Sequence, residues 1–421
     1  TCALPICFTH LKTAHRPLSR MMATNPDSKP SKTNDTESAV PVSKAPSKAS
    51  TPKLPVVFED VARAANRIRK GIVETELTHS YWLSSVCGCE VYLKHEMKQF
   101  TGSFKERGAR NALELLAPEK KKAGVIAASA GNHALALSWH GKQLGIPVSV
   151  IMPTVAPIQK VSKCRTFGAN VVIHGANIGE AKKLAESDPR FKDMVYINGY
   201  DDKEIVAGAG TMGLELATQL PDADYIIIPT GGAGLLAGTS LAMKTLMQDC
   251  VVVAVEPDHC ASFSEALKAG HPVPALTLAT LADGLAVPQV GDNAFVVARE
   301  FTDEVCLVNE NQIAVAMLRL VECEKMVLEG GGAIGLAAIL PGGPMHEKVQ
   351  GKKVIVPLCG GNIDTTTLGR VIDRGLAADD RLVRFIVQVD DKPGGVHGLG
   401  QVLLDAGASI KDIYHEQIGR A

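Results

Sequence analysis

The segment Tyr225-Ile-Ile-Ile-Pro-Thr-Gly-Gly-Ala-Gly-Leu235 decides the fold class. Its first five residues form a continuous apolar run, which is typical of a strand buried on both faces of a parallel sheet. The glycines that follow allow a tight turn, and the residues up to about Met247 predict a helix. A strand, a glycine-rich turn and a helix in this order form the basic unit of α/β proteins.

The same alternation continues on both sides of this segment. Further strands are predicted at 90–94, 124–128, 147–152, 169–174, 251–256 and 353–358. Helices are predicted at 61–72, 109–116, from about 133 to 144, at 158–167 and at 178–187. Short joints containing Gly or Pro separate these elements, which favours parallel strands with crossover helices. We therefore predict an α/β fold with at least two parallel sheets.

The composition limits the classes of function. The chain has 421 residues, of which 46% are hydrophobic, and a formal net charge of -1. This length can build a large catalytic unit of two lobes with well-buried cores. The near-neutral charge gives no reason to expect nucleic acid or a membrane surface as a partner, and no apolar run is long enough to span a bilayer.

The ten cysteines do not have the spacing of a zinc site. Cys87 and Cys89 form a C-x-C pair, but no second pair follows at a suitable distance. In a chain of this length such cysteines are expected to be reduced thiols in an intracellular compartment.

The N-terminal region differs in composition from the rest. Residues 1–55 are rich in Ser, Pro, Thr and Lys and lack periodicity, so we predict a disordered extension. Residues 1–26 contain no Asp or Glu but include Lys12, Arg16 and Arg20, as a mitochondrial or plastid transit peptide would. Translation from Met21 or Met22 would remove that signal, and the expected compartment is then the cytoplasm.

Lys105 is the first candidate for chemistry, within Thr101-Gly-Ser-Phe-Lys-Glu-Arg-Gly-Ala109. A lysine that forms a Schiff base must be partly neutral, which requires a desolvated pocket that lowers its pKa. The small neighbouring residues would let a ring lie close to the backbone. Taken alone, this stretch fits an exposed lysine at the start of a helix at least as well.

Three other segments offer groups that a phosphorylated cofactor needs. Gly231-Gly-Ala-Gly-Leu235 opens a helix, where free N–H groups and the helix dipole bind phosphate, although a simple packing turn explains it equally well. Ser129-Ala-Gly-Asn-His133 also opens a helix and could receive an anion, or be an ordinary Ser N-cap. Cys359 lies at the carboxyl end of a predicted strand, the edge of the sheet where α/β proteins bind ligands, but a thiol packed in the core is the alternative. Glu329 could be a carboxylate that interacts with the dipole at a helix start, or a residue of the binding site.

Together these motifs resemble the fold-type II pyridoxal-phosphate enzymes, most closely the threonine dehydratase (threonine ammonia-lyase) and serine dehydratase group. The resemblance covers residues 58–375. It rests on S-F-K-E-R-G-A at Ser103, S-A-G-N-H at Ser129, P-T-G-G-A-G-L at Pro229, V-E-P at Val255, A-D-G at Ala282 and C-G-G-N at Cys359. It implies a tryptophan-synthase-β-like fold with two lobes, each with a mostly parallel sheet. A catalytic domain at 56–375 would carry the smaller lobe, 121–200, as an insertion.

The resemblance also implies roles for individual residues. Lys105 would bind pyridoxal 5'-phosphate as a Schiff base, with Phe104 against the ring, Asn132 on the ring hydroxyl oxygen and Cys359 at the pyridine nitrogen. The phosphate would lie on the N–H groups of Gly231, Gly232, Ala233, Gly234 and Leu235. The carboxylate of a small amino-acid substrate would bind at Ser129, Ala130, Gly131 and His133. The enzyme would be a homodimer or homotetramer.

The implied activity is deamination of L-threonine to 2-oxobutanoate and ammonia, with L-serine giving pyruvate. Ala130 stands where serine racemases have a catalytic serine, and this favours a lyase. Cys359 is a weak partner for the ring nitrogen, which β-elimination tolerates. A serine racemase, a serine-preferring dehydratase and a non-catalytic regulatory subunit that binds the cofactor are the alternatives. Some relatives bind a divalent ion with an acidic residue where this chain has Ser262, so no metal site is predicted.

The C-terminal segment, residues 382–421, predicts a strand, a helix and a strand. With D-K-P-G-G as its first loop, it resembles the first half of an ACT domain. A piece of this size buries too little surface to be stable alone. It would pack on the body of the enzyme, pair with another chain or form part of something longer.

Overall fold

The computed structural model describes residues 2–9, 39–42, 54–389 and 393–414. The strands, in chain order, are β1 Cys2–Thr9, β2 Val40–Pro41, β3 Leu77–Ser80, β4 Glu90–Lys94, β5 Val125–Ala128, β6 Val148–Met152, β7 Asn170–Ile173, β8 Val195–Tyr196, β9 Tyr225–Pro229, β10 Val251–Pro257, β11 Glu304–Val308, β12 Lys353–Pro357, β13 Leu382–Val389 and β14 Ser409–Ile413.

The helices of the described residues connect these strands. They are α1 Phe58–Ile68, α2 Tyr81–Cys87, α3 Lys105–Leu115, α4 Pro118–Ala123, α5 Asn132–Leu144, α6 Ile158–Thr166, α7 Ile178–Ser187, α8 Lys203–Gln219, α9 Gly234–Leu246, α10 Ser262–Ala269, α11 Asp292–Phe301, α12 Glu310–Arg319, α13 Gly330–Ile339, α14 Thr365–Ala378 and α15 Gly395–Asp405. A short π-helix, Leu320–Glu324, extends α12.

A seven-stranded sheet, counted over the described residues, has the order β2-β11-β10-β9-β12-β4-β3. Its inner pairs are parallel, and the two outer strands, β2 and β3, are antiparallel to their neighbours. The central strand β9 is the apolar run that predicts the fold class, and Ile226 to Ile228 are fully buried in it. The parallel arrangement directs the carboxyl ends of β9, β10 and β12 to one edge, where ligands bind in such folds.

A second sheet, of four described strands, has the order β7-β6-β5-β8, and all its pairs are parallel. In the chain it lies between β4 and β9 of the large sheet. Its core packs side chains of β5 and β6 against helices α3, α5 and α6, including Leu113, Leu135 and Cys164. The first turns of α3 and α5 are therefore held by the same core.

The larger core lies where α8 and α9 pack on β9 and β10. Small residues make this packing possible at close range. A Cβ on Gly238 of α9 would lie 2.1 Å from the carbonyl oxygen of Val206 in α8, and one on Gly210 of α8 would lie 2.6 Å from that of Gly238. The α9 helix, which follows the glycine turn, is consequently fixed in position along its first two turns.

The chain divides into two compact units, residues 36–368 and a second unit made of residues 1–35 and 369–421. In the second unit the strand order is β13-β1-β14, with β1 antiparallel to both neighbours. Helix α15 packs Leu399 and Leu403 against Val387 of β13. The strand-helix-strand order predicted for this segment is confirmed, and its relation to an ACT domain stays a prediction.

The predicted α/β fold with parallel sheets is confirmed, and two details of the prediction are wrong. Disorder is predicted throughout 1–55, yet Cys2–Thr9 and Val40–Pro41 are strands; residues 1, 10–38 and 43–53 lie outside the described residues. The predicted helix at 109–116 begins earlier, at Lys105, because Ser103 and Phe104 are anchored to the end of β12. Within the described part of the chain, no helix combines the length and apolarity needed to cross a bilayer.

Candidate active site

Lys105 is the first residue of α3 and is half-buried. Its Nζ atom donates a hydrogen bond to the carbonyl oxygen of Gly199 at 2.6 Å and lies 5.0 Å from the centre of the Phe104 ring. Burial lowers the pKa of the Lys105 amine to about 8, although the nearby Cys359 and Glu329 act in the opposite direction. An amine with this pKa is partly neutral near pH 7, as a Schiff-base lysine must be.

The end of β12 holds the residues just before Lys105. The Phe104 N–H donates to the Cys359 carbonyl at 3.0 Å, and the Gly361 N–H donates to the Gly102 carbonyl at 2.9 Å. Cys359 is 4% exposed, and burial raises the pKa of its thiol well above the usual value. Cys359 is therefore a neutral thiol beside the lysine.

Asn132, the first residue of α5, faces the same region from the smaller sheet. Its Nδ2 donates to Glu329 Oε1 at 2.5 Å, and its Oδ1 accepts from Asn362 Nδ2 at 3.0 Å. Glu329 immediately precedes α13, and Asn362 follows β12. Three segments that are far apart in the chain thus meet at one amide.

The segment before α5 is a turn that a single side-chain hydrogen bond holds together. Ser129 Oγ accepts a hydrogen bond from the Gly131 N–H at 3.3 Å, and Gly131 is the N-cap of the helix. The first N–H groups of a helix have no partner within it and point toward any anion placed there. Ala130, between Ser129 and Gly131, adds no polar side chain.

The side chain of His133 is buried and is hydrogen-bonded to the backbone. Its Nε2 lies 3.1 Å from the Ile197 carbonyl, so Nε2 carries the proton and Nδ1, which has no partner, is only an acceptor. Burial, and then the charge of Lys105, lowers the pKa of His133 to about 3. A neutral ring with this tautomer cannot donate to a carboxylate, so His133 can contribute only its backbone N–H.

The glycine turn after β9 has the backbone geometry of a phosphate cradle. Ala233 is the N-cap of α9 and has φ of 67°, in the left-handed region that favours glycine. A Cβ on Gly232 would lie 2.3 Å from the Tyr200 ring, and one on Gly234 would lie 2.2 Å from the Tyr200 carbonyl. Tyr200 therefore packs directly against this turn.

A cavity of about 410 Å³ opens beside these residues. Glu329 and Asn362 are among its lining residues, as are Lys160 of α6 and Asp283, with Lys160 Nζ 3.8 Å from the Asp283 carboxylate. Burial raises the pKa of Glu329 to about 7, while Lys160 lowers it and Asp283 raises it. The cavity therefore places polar and charged side chains around a space beside Asn132 and Glu329.

Residues 68–360 match the family described as "Pyridoxal-phosphate dependent enzyme". The chain belongs to this family. This pyridoxal-phosphate dependent enzyme is 38% identical over 362 residues to an L-threonine ammonia-lyase of Thermotoga maritima, in an alignment that covers 86% of this chain and 89% of the relative.

Solved structures agree with the family. A processed form of threonine deaminase isoform 2 from Solanum lycopersicum has a TM-score of 0.69 and 31% identity, covering 80% of this chain and 99% of that one. Serine racemase from Dictyostelium discoideum has a TM-score of 0.69 and 35% identity, covering 73% and 99%. The fold of this pyridoxal-phosphate dependent enzyme is thus that of the fold-type II enzymes.

The residues of the site fit the cofactor of the family. A half-buried amine with a lowered pKa is available at Lys105 for its aldehyde. Free helix N–H groups at Gly234 and Leu235 suit its phosphate. Buried polar atoms without protein partners, among them Ser103 Oγ and His133 Nδ1, lie on the segments that carry Lys105 and Asn132. The amine and the helix N–H groups of this pyridoxal-phosphate dependent enzyme therefore fit the aldehyde and the phosphate of the cofactor.

Four residues of the site have no individual role in the sequence motifs. Gly199 and Tyr200 contact Lys105 and the glycine turn, and Glu329 and Asn362 hold Asn132. Glu329 has a signal in the sequence, because a carboxylate before Gly330-Gly331-Gly332 indicates a helix start. Asn362 is the last residue of the C-G-G-N motif. Gly199 and Tyr200 lie in the loop before α8 and carry no such signal.

Glu256, in the V-E-P motif, is hydrogen-bonded within the protein. Glu256 is fully buried and accepts hydrogen bonds from the N–H groups of Phe263 and Ser264 at 2.7 and 2.9 Å, so it caps α10. Among the described residues, Asp258, His259 and Glu310 have potential ligand atoms within 4.8 Å of one another. Both oxygens of Glu310 already accept hydrogen bonds, from Thr280 and Leu281.

Proposed function

We propose that this enzyme deaminates L-threonine to 2-oxobutanoate and ammonia by β-elimination, and L-serine to pyruvate by the same route. The observation that carries the proposal is the 38% identity to an L-threonine ammonia-lyase across 86% of the chain, joined to a partly neutral lysine inside the aligned region. The resemblance of the motifs to threonine and serine dehydratases supports the same activity.

Bound pyridoxal phosphate supplies an electron sink that stabilises negative charge on the Cα atom of an amino acid. In the proposal, Lys105 holds the cofactor and then acts as the base that takes the Cα proton onto Nζ. The Gly199 carbonyl, 2.6 Å from Nζ, keeps the amine on this side of the site. Because the pKa of Lys105 is about 8, the amine can both accept and return a proton near neutral pH.

The first turn of α5 is proposed to bind the substrate carboxylate. Ser129 Oγ and the N–H groups of Asn132 and His133 are the donors available there, while the Gly131 N–H already donates to Ser129 Oγ. Binding the carboxylate at a helix N-terminus fixes the amino acid relative to Lys105 and leaves its side chain toward the cavity.

Ala130 and Cys359 are proposed to favour elimination. Ala130 carries no acid or base, so no group on its side of the substrate can return a proton to the opposite face of Cα. Cys359 is a neutral thiol that cannot give the ring nitrogen a full charge partner. A long-lived carbanion is then disfavoured, whereas the loss of a β-hydroxyl removes the electron pair at once.

A second candidate activity is serine racemisation. It is favoured by the structural similarity to the Dictyostelium discoideum serine racemase, at 35% identity. Racemisation needs a proton carrier on each face of Cα, and the motif offers alanine where the second carrier is expected. Elimination remains the better-supported activity.

The test is release of 2-oxo acids from L-threonine and L-serine by the purified enzyme loaded with pyridoxal phosphate. We expect faster formation of 2-oxobutanoate from threonine than of pyruvate from serine, and no product with Lys105→Ala. Pyruvate alone would indicate a serine dehydratase. D-serine without any 2-oxo acid would replace the proposal with racemisation.

The assembly and compartment are also proposals. We expect a homodimer or homotetramer, because the family resemblance implies one. The cysteines of the described region from Cys87 to Cys359 are free thiols, which supports a reducing compartment such as the cytoplasm. Size-exclusion chromatography with light scattering, and imaging of a tagged full-length protein, would test the two expectations.

A further inference from the structure

Asn132 has only one possible amide orientation in this structure. The Thr101 carbonyl can only accept, so the group of Asn362 that lies 2.6 Å from it must be the amide nitrogen. That same nitrogen lies 3.0 Å from Asn132, so Asn132 must present its oxygen there. The Asn132 nitrogen therefore faces Glu329 Oε1, at 2.5 Å.

Glu329 is placed in an unusual way for a residue at a helix start. It precedes α13, yet its carboxylate does not cap the helix, and its side chain turns toward Asn132 instead. The chain makes space for this arrangement, because a Cβ on Gly360 would lie 2.2 Å from Glu329 Oε1. A carboxylate that is 6% exposed is costly to bury, so a position that requires a glycine opposite it indicates a function.

We propose that Glu329 is a positioning residue that holds Asn132 so that its second amide N–H points at the ring hydroxyl oxygen of bound pyridoxal phosphate. One N–H of Asn132 is used by Glu329, and the Asn132 oxygen is used by Asn362. The remaining N–H is the only donor left on this side chain. The proposal rests on the proposed function and on the assignment of Asn132 to the ring hydroxyl oxygen that the family resemblance implies.

The charge on Glu329 links this position to pH. Its surroundings contain two cations, Lys160 and Lys105, and one further carboxylate, Asp283, with the Cys359 thiol also nearby. Burial raises the pKa of Glu329 to about 7, so the carboxylate is ionised above this pH and neutral below it. An ionised acceptor polarises the Asn132 amide more strongly, and its remaining N–H becomes a weaker donor to the ring oxygen.

The test measures cofactor retention and the absorption spectrum of the bound cofactor. We expect Glu329→Ala to weaken retention by about ten- to a hundredfold, as expected for loss of a charge-assisted hydrogen bond. Glu329→Gln, which keeps the shape and an acceptor, should retain the cofactor within about threefold. We expect the wild type to show a spectral transition with a midpoint near pH 7, where Glu329 ionises, and Glu329→Gln to lack it. The exposed Glu347→Gln is the matched control and should behave as wild type.

A double-mutant cycle separates this inference from the function on which it rests. If Glu329 acts through Asn132, Glu329→Ala should have no further effect on retention in an Asn132→Ala background. Additive effects, or a transition near pH 7 that persists in Glu329→Gln, would overturn the positioning role. If Asn132→Ala alone changes neither retention nor spectrum, the assignment of Asn132 fails, and the 2-oxo acid assay still decides the lyase activity independently. Should Glu329→Ala not fold, Glu329→Gln and its pH dependence give the answer.

Discussion

Arg107 and Glu96 form a bidentate ion pair without access to solvent, with Nε and Nη2 of Arg107 donating to the two carboxylate oxygens at 2.8 and 2.7 Å. Arg107 also donates to Glu215 at 2.6 and 2.8 Å and to Thr211 at 3.1 Å. The planar guanidinium group of Arg107 thus makes five hydrogen bonds, four to carboxylate oxygens and one to a hydroxyl. This network lies two residues after Lys105 and fixes the first turn of α3.

Removing the cation from this network should destabilise the enzyme. Arg107→Ala leaves the buried Glu96 carboxylate without its cation, with Thr75 as a neutral donor, and leaves Glu215 paired only with Lys94. We expect the free energy of unfolding to fall by about 3–5 kcal/mol. Urea unfolding of the cofactor-free protein measures this change. Arg63→Ala is the control, because its pair with Glu59 is exposed and should contribute less than about 1 kcal/mol. Similar losses in the two variants would contradict a structural role for the buried network.

The lowered pKa of Lys105 should be visible in the pH dependence of stability. Between about 8 and the usual value near 10.4, the unfolded chain binds a proton at Lys105 that the folded chain does not. The free energy of unfolding contributed by this residue therefore rises with pH across that window. We expect cofactor-free Lys105→Met to be more stable than wild type by roughly 2 kcal/mol at neutral pH.

That advantage of Lys105→Met should disappear as the pH passes about 10. Comparing the two proteins at each pH cancels the titration of all other groups. A stability difference that does not change with pH would show that the amine has an ordinary pKa. Cofactor must be absent from both samples, since its binding would add stability to the wild type alone.

Replacing Ala130 with serine, which places a hydroxyl next to Gly131, should give the enzyme serine racemase activity. We expect Ala130→Ser to raise formation of D-serine from L-serine by about a hundredfold over the wild-type background, because a positioned acid–base group contributes at least this factor. Chiral chromatography of the reaction mixture measures the product. Ala130→Gly changes the same position without a hydroxyl, and racemisation by that variant would refute the explanation.

Substitutions at two adjacent positions of the glycine turn should differ in their effect on stability. Gly234→Ala would place a Cβ 2.2 Å from the Tyr200 carbonyl, so we expect a loss of about 1–3 kcal/mol in stability and weaker cofactor binding. Ala233→Gly relieves the strain of an alanine in the left-handed region, which stabilises the folded state. Glycine also raises the conformational entropy of the unfolded chain, which offsets this stabilisation, so the net change in the free energy of unfolding should be near zero.

Thermal unfolding and cofactor titration of these two variants test the geometry of the turn. Equal tolerance at both positions would mean that the turn can move away from Tyr200. Loss of binding in Ala233→Gly would mean that the cradle depends on the alanine methyl group.

The regular elements were the most predictable part of the fold. Strand Tyr225–Pro229 and helix Ile178–Ser187 have the predicted bounds, because an unbroken apolar run and a helical period are local signals. Strand Glu304–Val308 carries a weaker signal, since its apolar run of four residues, Val305 to Val308, is too short to be told from part of a helix by periodicity alone. Its place in the sheet depends on pairing with Val253 to Pro257, which only the tertiary structure shows.

The sequence predicts the motifs of the candidate site but not the contacts between residues that lie far apart in the chain. Lys105, Asn132 and Cys359 stand in short motifs that a sequence displays directly. The contact between Asn132 and Glu329 joins residues 197 positions apart, and the one between Lys105 and Gly199 joins residues 94 apart. No periodicity encodes such pairs. His133 shows the limit most clearly, since its role depends on a tautomer that the Ile197 carbonyl selects.

The adjacent residues Gly199 and Tyr200 serve both ends of the site, one receiving the Lys105 amine and the other backing the glycine turn. The peptide unit between Gly199 and Tyr200 therefore links the contact with the Lys105 amine to the contact with the glycine turn. An insertion or deletion in the short segment between β8 and α8 would change that link even if every motif residue were kept. Sequences that carry all the motifs but differ in length here should be inspected for loss of activity before their motifs are taken as evidence of it.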